Sequence, residues 1–206
     1  VPEIVEQLKK QTIQPFTLNI WNNSGHKLEI DFPEDRLVVI ESETNIGSQA
    51  RFRLAAQTTG SPIIFIDDDQ YLESDFIEHC LDRFAEFGDN TIIGFYTRVF
   101  VNGKYRQNPE GEVDKEVDYV GTAGMVLGRW IIDAEPLLQH IPTGYQRIED
   151  LYLCYLARTK YDMTLRRIEA KTHIIKDGLD QCRSIAKNQL LQRLRKEGWK
   201  LLKDAS

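Results

Sequence analysis

Two hydrophobic periods alternate along this chain, and the switches between them mark out its elements. In Pro2 to Gln11, Ile4, Val5 and Leu8 fall one helical turn apart, which predicts a helix with one buried face. Phe16 to Trp21 reads as a short strand closed by the turn formers Asn22, Asn23, Ser24 and Gly25. Leu37 to Ile40 predicts a second strand. Ser48 to Thr59 predicts a helix, with Asn45 or Gly47 near its cap and Gly60 past its end, and Pro62 to Ile66 is a wholly apolar strand. Ser74 is expected to cap a helix in which Ile77, Cys80, Leu81 and Phe84 share a face and Gly88 is the stop. Gln146 to Lys160 continues as a helix with Leu151, Cys154 and Tyr155 turned inward. Leu179 to Ala205 forms an amphipathic helical tail, with Leu190, Leu191, Leu194, Trp199 and Leu202 to one side. Strands alternating with helices predict an α/β fold with a mostly parallel central sheet.

Composition narrows the class. With 206 residues, 41% apolar and 28% charged, the chain has the profile of one folded domain with a sizeable core. No repeat, low-complexity tract or linker divides it. The net charge of -6, without a basic stripe in the body of the chain, argues against duplex nucleic acid as partner. No apolar run approaches the roughly 18 residues of a membrane helix, and Val1 to Gln14 is a charged helical stretch rather than a signal peptide. A cytoplasmic domain without a transmembrane segment is the expectation. Cys80, Cys154 and Cys182 are odd in number and lack CxxC spacing, so they read as reduced packing residues. The tail carries seven Lys or Arg against three acids; it is expected to pack on its own domain, with a membrane surface or a following domain as the other reading.

The chemistry concentrates where the apolar strand ends in Asp67, Asp68 and Asp69. Ligands of open α/β sheets collect at the carboxyl ends of strands. Three carboxylates at such a mouth repel one another and call for a cation, which a divalent metal supplies best. Residues alternate along an extended chain, so Asp67 and Asp69 face one side and Asp68 the other. The plainer reading is that these acids only end the strand and cap the next turn. A phosphatase of the DxDx[TV] type is disfavoured by Tyr71 at the fifth position.

Phe65-Ile66-Asp67-Asp68-Asp69 resembles the DxD element of GT-A glycosyltransferases, and Asn45-Ile46-Gly47-Ser48-Gln49-Ala50-Arg51 resembles their NxGxxxAR segment. Ile20-Trp21-Asn22-Asn23 is similar to the strand end that meets uracil, and Glu149-Asp150 to the acidic pair that opens a late helix. The order and spacing cover roughly residues 1–175. Gly94-Phe95-Tyr96, Gly121 to Leu127 and Glu149-Asp150 are also similar to exostosin-like enzymes and to viral capsid-glycosylating enzymes. The family opens with an apolar strand ending in a segment like PTYNR, whereas this chain begins in the helix that follows it.

The resemblance implies a GT-A domain over 1–206, with a nucleotide-sugar half (1–120), an acceptor and catalytic half (121–178) and a C-terminal helix (179–206). It implies a UDP-sugar donor, a glycan or glycoprotein acceptor, Mn2+ or in its place Mg2+, and further domains of a longer polypeptide as possible partners. Asp69 would bind the ion, and Asp67 and Asp68 would serve the nucleotide. Arg51, early in its helix, would fork onto a phosphate, with Arg53 as the fallback and a surface or intrahelical ion pair as the plainer reading. Asn22 offers a donor and an acceptor to a pyrimidine edge, though a turn-forming Asn fits equally; Asn45 belongs to the same nucleotide set. Gly121, Ala123 and Gly124 would let the backbone approach the donor, or would simply make a tight turn. Trp130 and Tyr119 are sugar-stacking candidates, or core. Asp150 would take the acceptor proton in an inverting transfer or steady an oxocarbenium-like sugar in a retaining one, with Glu149 orienting hydroxyls; both also suit the first turn of a helix.

His173, in Lys171-Thr172-His173-Ile174-Ile175, sits in an expected extended segment. As GT-A families that close their metal site with a late histidine imply, it would join Asp69 on the ion, and imidazole suits manganese better than magnesium. A satisfied structural histidine is the plainer reading. Two other classes stay open: a nucleotidyltransferase or pyrophosphorylase, although no Gly-rich basic loop follows the first readable strand, and a calcium-dependent carbohydrate-binding module.

Overall fold

The computed structural model describes residues 1–101, 104–105, 108–136, 148–175 and 184–204. Helix α1 (Pro2–Lys9) has Pro2 in its first turn, where a missing N–H breaks no helical bond, and buries Ile4, Val5 and Leu8 as their spacing predicts. Strands β1 (Leu18–Asn22) and β2 (Leu37–Glu41) pair in parallel, Leu18 opposite Leu37 and Asn22 opposite Glu41. Helix α2 (Ala50–Gln57) lies beside β1, and β3 (Ile63–Ile64) leads into the aspartates. Beyond them come β4 (Gln70–Leu72) and α3 (Phe76–Phe87), whose Ile77, Cys80 and Phe84 are buried and whose stop is Gly88 at φ +83°. Then follow β5 (Thr91–Gly94), β6 (Thr97–Arg98), β7 (Tyr119–Val120), β8 (Val126–Leu127) and α4 (Arg129–Ala134). Helix α5 (Glu149–Lys160), β9 (Thr164–Arg167), β10 (Thr172–Ile174) and α6 (Ser184–Lys196) complete the described chain.

Helices and strands alternate as expected of an α/β domain, but the sheets are small and mixed, which corrects the expectation of a mostly parallel sheet. The four-stranded sheet runs β3-β8-β5-β9, with β8 antiparallel to β3 and β5 and only β5–β9 parallel. A parallel neighbour needs a long crossover, usually helical. Strand β8 instead arrives from β7 through a short glycine turn, so no βαβ unit sets its direction. The β4–β10 and β6–β7 pairs are antiparallel ribbons beside this sheet.

Two helix ends differ from their sequence signals. Asp75, not Ser74, occupies the cap position of α3, and neither side chain caps it. Gln11 takes over that duty from a distance, its Oε1 accepting the Ile77 amide at 2.9 Å. The tail helix ends at Lys196, and Gly198 at φ +109° breaks the period, so that Leu201 is buried where Leu202 was expected. Leu190, Leu191, Leu194 and Trp199 are buried against α5 and its neighbours, as a tail packing on its own domain requires. Cys80 and Cys154 are buried thiols, and Cys182 lies outside the described residues. No helix among the described residues is long and apolar enough to cross a membrane.

The turn before β8 depends on Gly124. Its φ is +83°, and a Cβ built there would lie 1.8 Å from the Phe95 ring. Gly124→Ala therefore combines a disfavoured backbone with overpacking and is expected to destabilise the protein by about 2–4 kcal/mol. A urea midpoint unchanged from the parent, with equal slope, would show that the turn relaxes freely.

Candidate active site

The aspartate turn is held from both sides. Gln70, buried at the start of β4, accepts the Asp67 amide on Oε1 at 2.7 Å and donates from Nε2 to the Thr172 hydroxyl at 3.1 Å. Asp67 accepts from Arg51 Nη1 at 2.7 Å, while Arg51 Nε donates to the Ser48 carbonyl at 3.0 Å and lies 4.0 Å from Glu149 Oε1. One guanidinium thus reaches from the turn after β3 to the first residue of α5. Burial works against the Arg51 charge, yet Asp67 and Glu149 outweigh it and raise its pKa. The Arg51–Asp67 pair joins α2 to the turn after β3 and is half-buried, so it is neither a surface nor an intrahelical ion pair.

Glu149 and Asp150 open α5 as expected, but both are buried, 2% and 8% exposed, so they are not a solvated first turn. Burial, with the Asp150 charge beside it, pushes the Glu149 carboxyl up in spite of Arg51. Its Oε2 has no partner among the described residues. Asp150 is fully engaged on one oxygen: Oδ2 accepts from the Tyr119 hydroxyl and from Lys187 Nζ, the latter at 2.8 Å. Oδ1 accepts the Leu151 amide at 2.8 Å.

Asp69 and His173 fall on one ribbon. His173 pairs with Tyr71 in the β4–β10 register, and the Ile175 amide donates to the Asp69 carbonyl at 2.6 Å, which extends the ladder one step. By alternation Tyr71 and His173 share a face, and Asp69 lies in the turn that enters β4. The His173 ring is exposed and stacks on Tyr71 with centroids 4.9 Å apart. Among the described residues no three His, Cys, Asp or Glu side chains form a cluster that could hold an ion. Asp68 points to solvent.

The remaining positions are placed less directly. The Asn22 amide is used internally: Nδ2 donates to the His26 carbonyl and to Glu41, and Oδ1 accepts the Ser24 amide at 2.9 Å. Its neighbour Asn23 makes the link to the 45–48 loop, accepting the Ile46 amide at 3.2 Å, while Asn45 accepts the Gly47 amide at 2.8 Å. At Gly124 the close approach is to Phe95, and the Gly124 amide donates to the Phe65 carbonyl at 2.8 Å. Gly121 and Ala123 are buried in the same turn, Gly121 against Tyr96. Trp130 donates to the Asp89 carbonyl at 2.8 Å, and Tyr119 is wholly buried.

Four residues of this network carry no usable sequence signal for their roles. Gln70 and Asn23 look like ordinary turn polars, and Tyr119 reads as a core or sugar-stacking aromatic. Lys187 is one basic residue among the seven of the tail. Nothing in its local pattern tells it from a solvated lysine.

The Glu149 environment gives a signed pH dependence. A carboxyl whose pKa is raised on folding adds stability below its ordinary value, 4.5, and loses it as pH rises through the raised one. Replacing Glu149 by Gln removes that loss. Urea midpoints between pH 4 and 8 should show Glu149→Gln gaining on the parent as pH rises, and parallel curves would contradict this account.

No curated protein matches the chain. A model described as glycosyl transferase family 2 matches residues 1–172, a span that takes in the aspartate turn, Arg51, the acidic pair and β10 up to Thr172. With most of its length covered by that model, the chain belongs to glycosyl transferase family 2 and is a glycosyltransferase.

Proposed function

We propose that this enzyme transfers a hexosyl or deoxyhexosyl unit from a UDP-sugar to a hydroxyl of a glycan or glycoprotein in the cytoplasm, with a divalent metal as cofactor. The observation that carries this reading is the single charged network joining the aspartate turn to the start of α5 through Arg51. A donor diphosphate at the turn and a reacting hydroxyl at the helix are the two halves that such a network serves.

In this reading Asp69 and His173 hold the ion. Asp69, at the turn into β4, and His173, on β10, would supply a carboxylate and an imidazole, and imidazole in the set would favour Mn2+ over Mg2+. When bound, the metal stabilises the negative charge that develops on the leaving diphosphate. Asp67 and Asp68 receive ribose hydroxyls or metal-bound water, and Arg51 holds Asp67 in place while lending its charge to the phosphate side. Asn22, Asn45 and the Gly124 turn border the nucleotide sugar.

Asp150 removes the proton from the acceptor hydroxyl. The acceptor oxygen bonds to the anomeric carbon while the bond from that carbon to the β-phosphate oxygen breaks, and UDP leaves. Of the two roles open to Asp150, the base is favoured because Oδ1, which accepts only the Leu151 amide among the described residues, retains a lone pair for a proton. Glu149, with Oε2 unpartnered, orients a sugar hydroxyl.

Calorimetric titration of UDP in the presence of MnCl2 tests the metal assignment. Asp69→Ala and His173→Ala should each weaken metal-dependent UDP binding by about 10–100-fold, with melting temperatures in EDTA like the parent's. Unchanged binding in either folded variant removes that ligand. Asp150→Asn should keep UDP affinity and lose sugar transfer by about 10²–10⁴-fold; transfer near the parent rate would reduce Asp150 to a helix-start acid.

A further inference from the structure

Lys187 lies on α6, outside the residues that match the family, yet it reaches into the centre of the network. It is 6% exposed, and its ammonium donates to Asp150 Oδ2 at 2.8 Å, to the Tyr119 hydroxyl at 3.0 Å and to the Tyr105 hydroxyl at 3.3 Å. Three N–H donors therefore meet three acceptors, and the same nitrogen sits 4.6 Å from the Tyr105 ring centroid and 5.1 Å from that of Tyr119. A buried ammonium left unpaired costs several kcal/mol, so this one is held where its partners are.

The hydrogens of the network run one way. Tyr105 donates to Tyr119 at 3.3 Å, Tyr119 donates to Asp150, and Lys187 donates to all three. Burial, followed by the Asp150 charge, keeps the Tyr119 hydroxyl protonated far above neutral pH, so it remains a donor. Among the described residues, every group bonded to Oδ2 presents a hydrogen. A proton on that oxygen would face only donors, which leaves Oδ1 as the position where Asp150 can receive one.

We propose that Lys187 is a positioning residue for Asp150. It holds Oδ2 of the buried carboxylate and so leaves Oδ1 to the acceptor, and the C-terminal helix thereby completes the catalytic centre. The proposal rests on the reading of Asp150 as the base. The groups that face Asp150 are Tyr119 from β7, Tyr105, Lys187 from α6, Arg51 from α2, and Glu149 and Cys154 on its own helix. Among the described residues Lys187 is the cation hydrogen-bonded to it; Arg51 acts on it across space through its place beside Glu149.

The experiment follows the Asp150 carboxyl by 13C NMR, its resonance assigned by its loss in Asp150→Asn, in the parent, Lys187→Met and Lys187→Arg. In Lys187→Met the resonance should move away from its parent position at neutral pH, and Lys187→Arg should return it most of the way. UDP release from a mixture of UDP-glucose, UDP-galactose, UDP-N-acetylglucosamine and UDP-xylose with MnCl2 should fall about tenfold or more in Lys187→Met at neutral pH. UDP affinity should stay at the parent value. Should Lys187→Met not fold, Lys187→Gln, which keeps a polar donor without the charge, takes its place with the same expectations. A carboxyl resonance unmoved by loss of the charge overturns the proposal, whatever happens to the melting temperature. Faster UDP release in Lys187→Met also overturns it, because the contact would then be inhibitory. Failure of the base reading looks different: Asp150→Asn would release UDP at the parent rate while the carboxyl still responded to Lys187.

Discussion

Carboxylates withdrawn from water must be matched by positive charge, and the placement of the helices around this site follows from that requirement. Asp67, Glu149 and Asp150 come from the turn after β3 and the start of α5, and their repulsion is answered by Arg51 from α2 and Lys187 from α6. Removing one partner from such a buried pair costs about 3–5 kcal/mol, because the remaining charge stays desolvated. The two cations enter from opposite ends of the described chain. The site is therefore a point at which the α2 and α6 packings are both constrained, and the core around Leu190, Leu191 and Leu194 holds the helix that carries Lys187 to Asp150.

Much of this was readable because it is local. The apolar strand ending in three aspartates, the acidic pair opening a helix and the extended segment around His173 are short patterns, and each element forms where its pattern lies. Long-range pairing was not readable. Arg51 early in its helix suggests an anion, and only the fold brings Asp67 and Glu149 to it. Asn22 offers both faces of an amide, and only the fold spends them on His26, Glu41 and Ser24. Strand direction was misjudged for the same reason: alternation of elements predicts layers, but the sense of β8 is decided by a glycine turn and a register that no local window contains.

The acidic pair shows how identical sequence logic yields two chemistries. Adjacent on one helix, Glu149 and Asp150 are both buried, yet one oxygen of Glu149 is unpartnered and its carboxyl is pushed up, whereas Asp150 sits among an ammonium, a phenol and an amide. Neighbours from distant elements separate the roles, and neither residue's identity nor its helix position does so.

The glycine that ends α6 has a reach beyond its own turn. Gly198 at φ +109° lets the chain leave the helix axis, and Trp199 then wedges between Phe100 and Tyr155, with ring centroids 6.2 and 6.0 Å away. That indole works as a key that fixes the rotational setting of the helix before it. Each helical residue turns the chain by about 100°, so a single insertion or deletion between Lys187 and Trp199 would swing the ammonium away from Asp150 while leaving every local preference satisfied. The exposed positions of this tail are free to drift in identity, but its length is not, and a tail of another length would belong to an enzyme that steadies its carboxylate by other means.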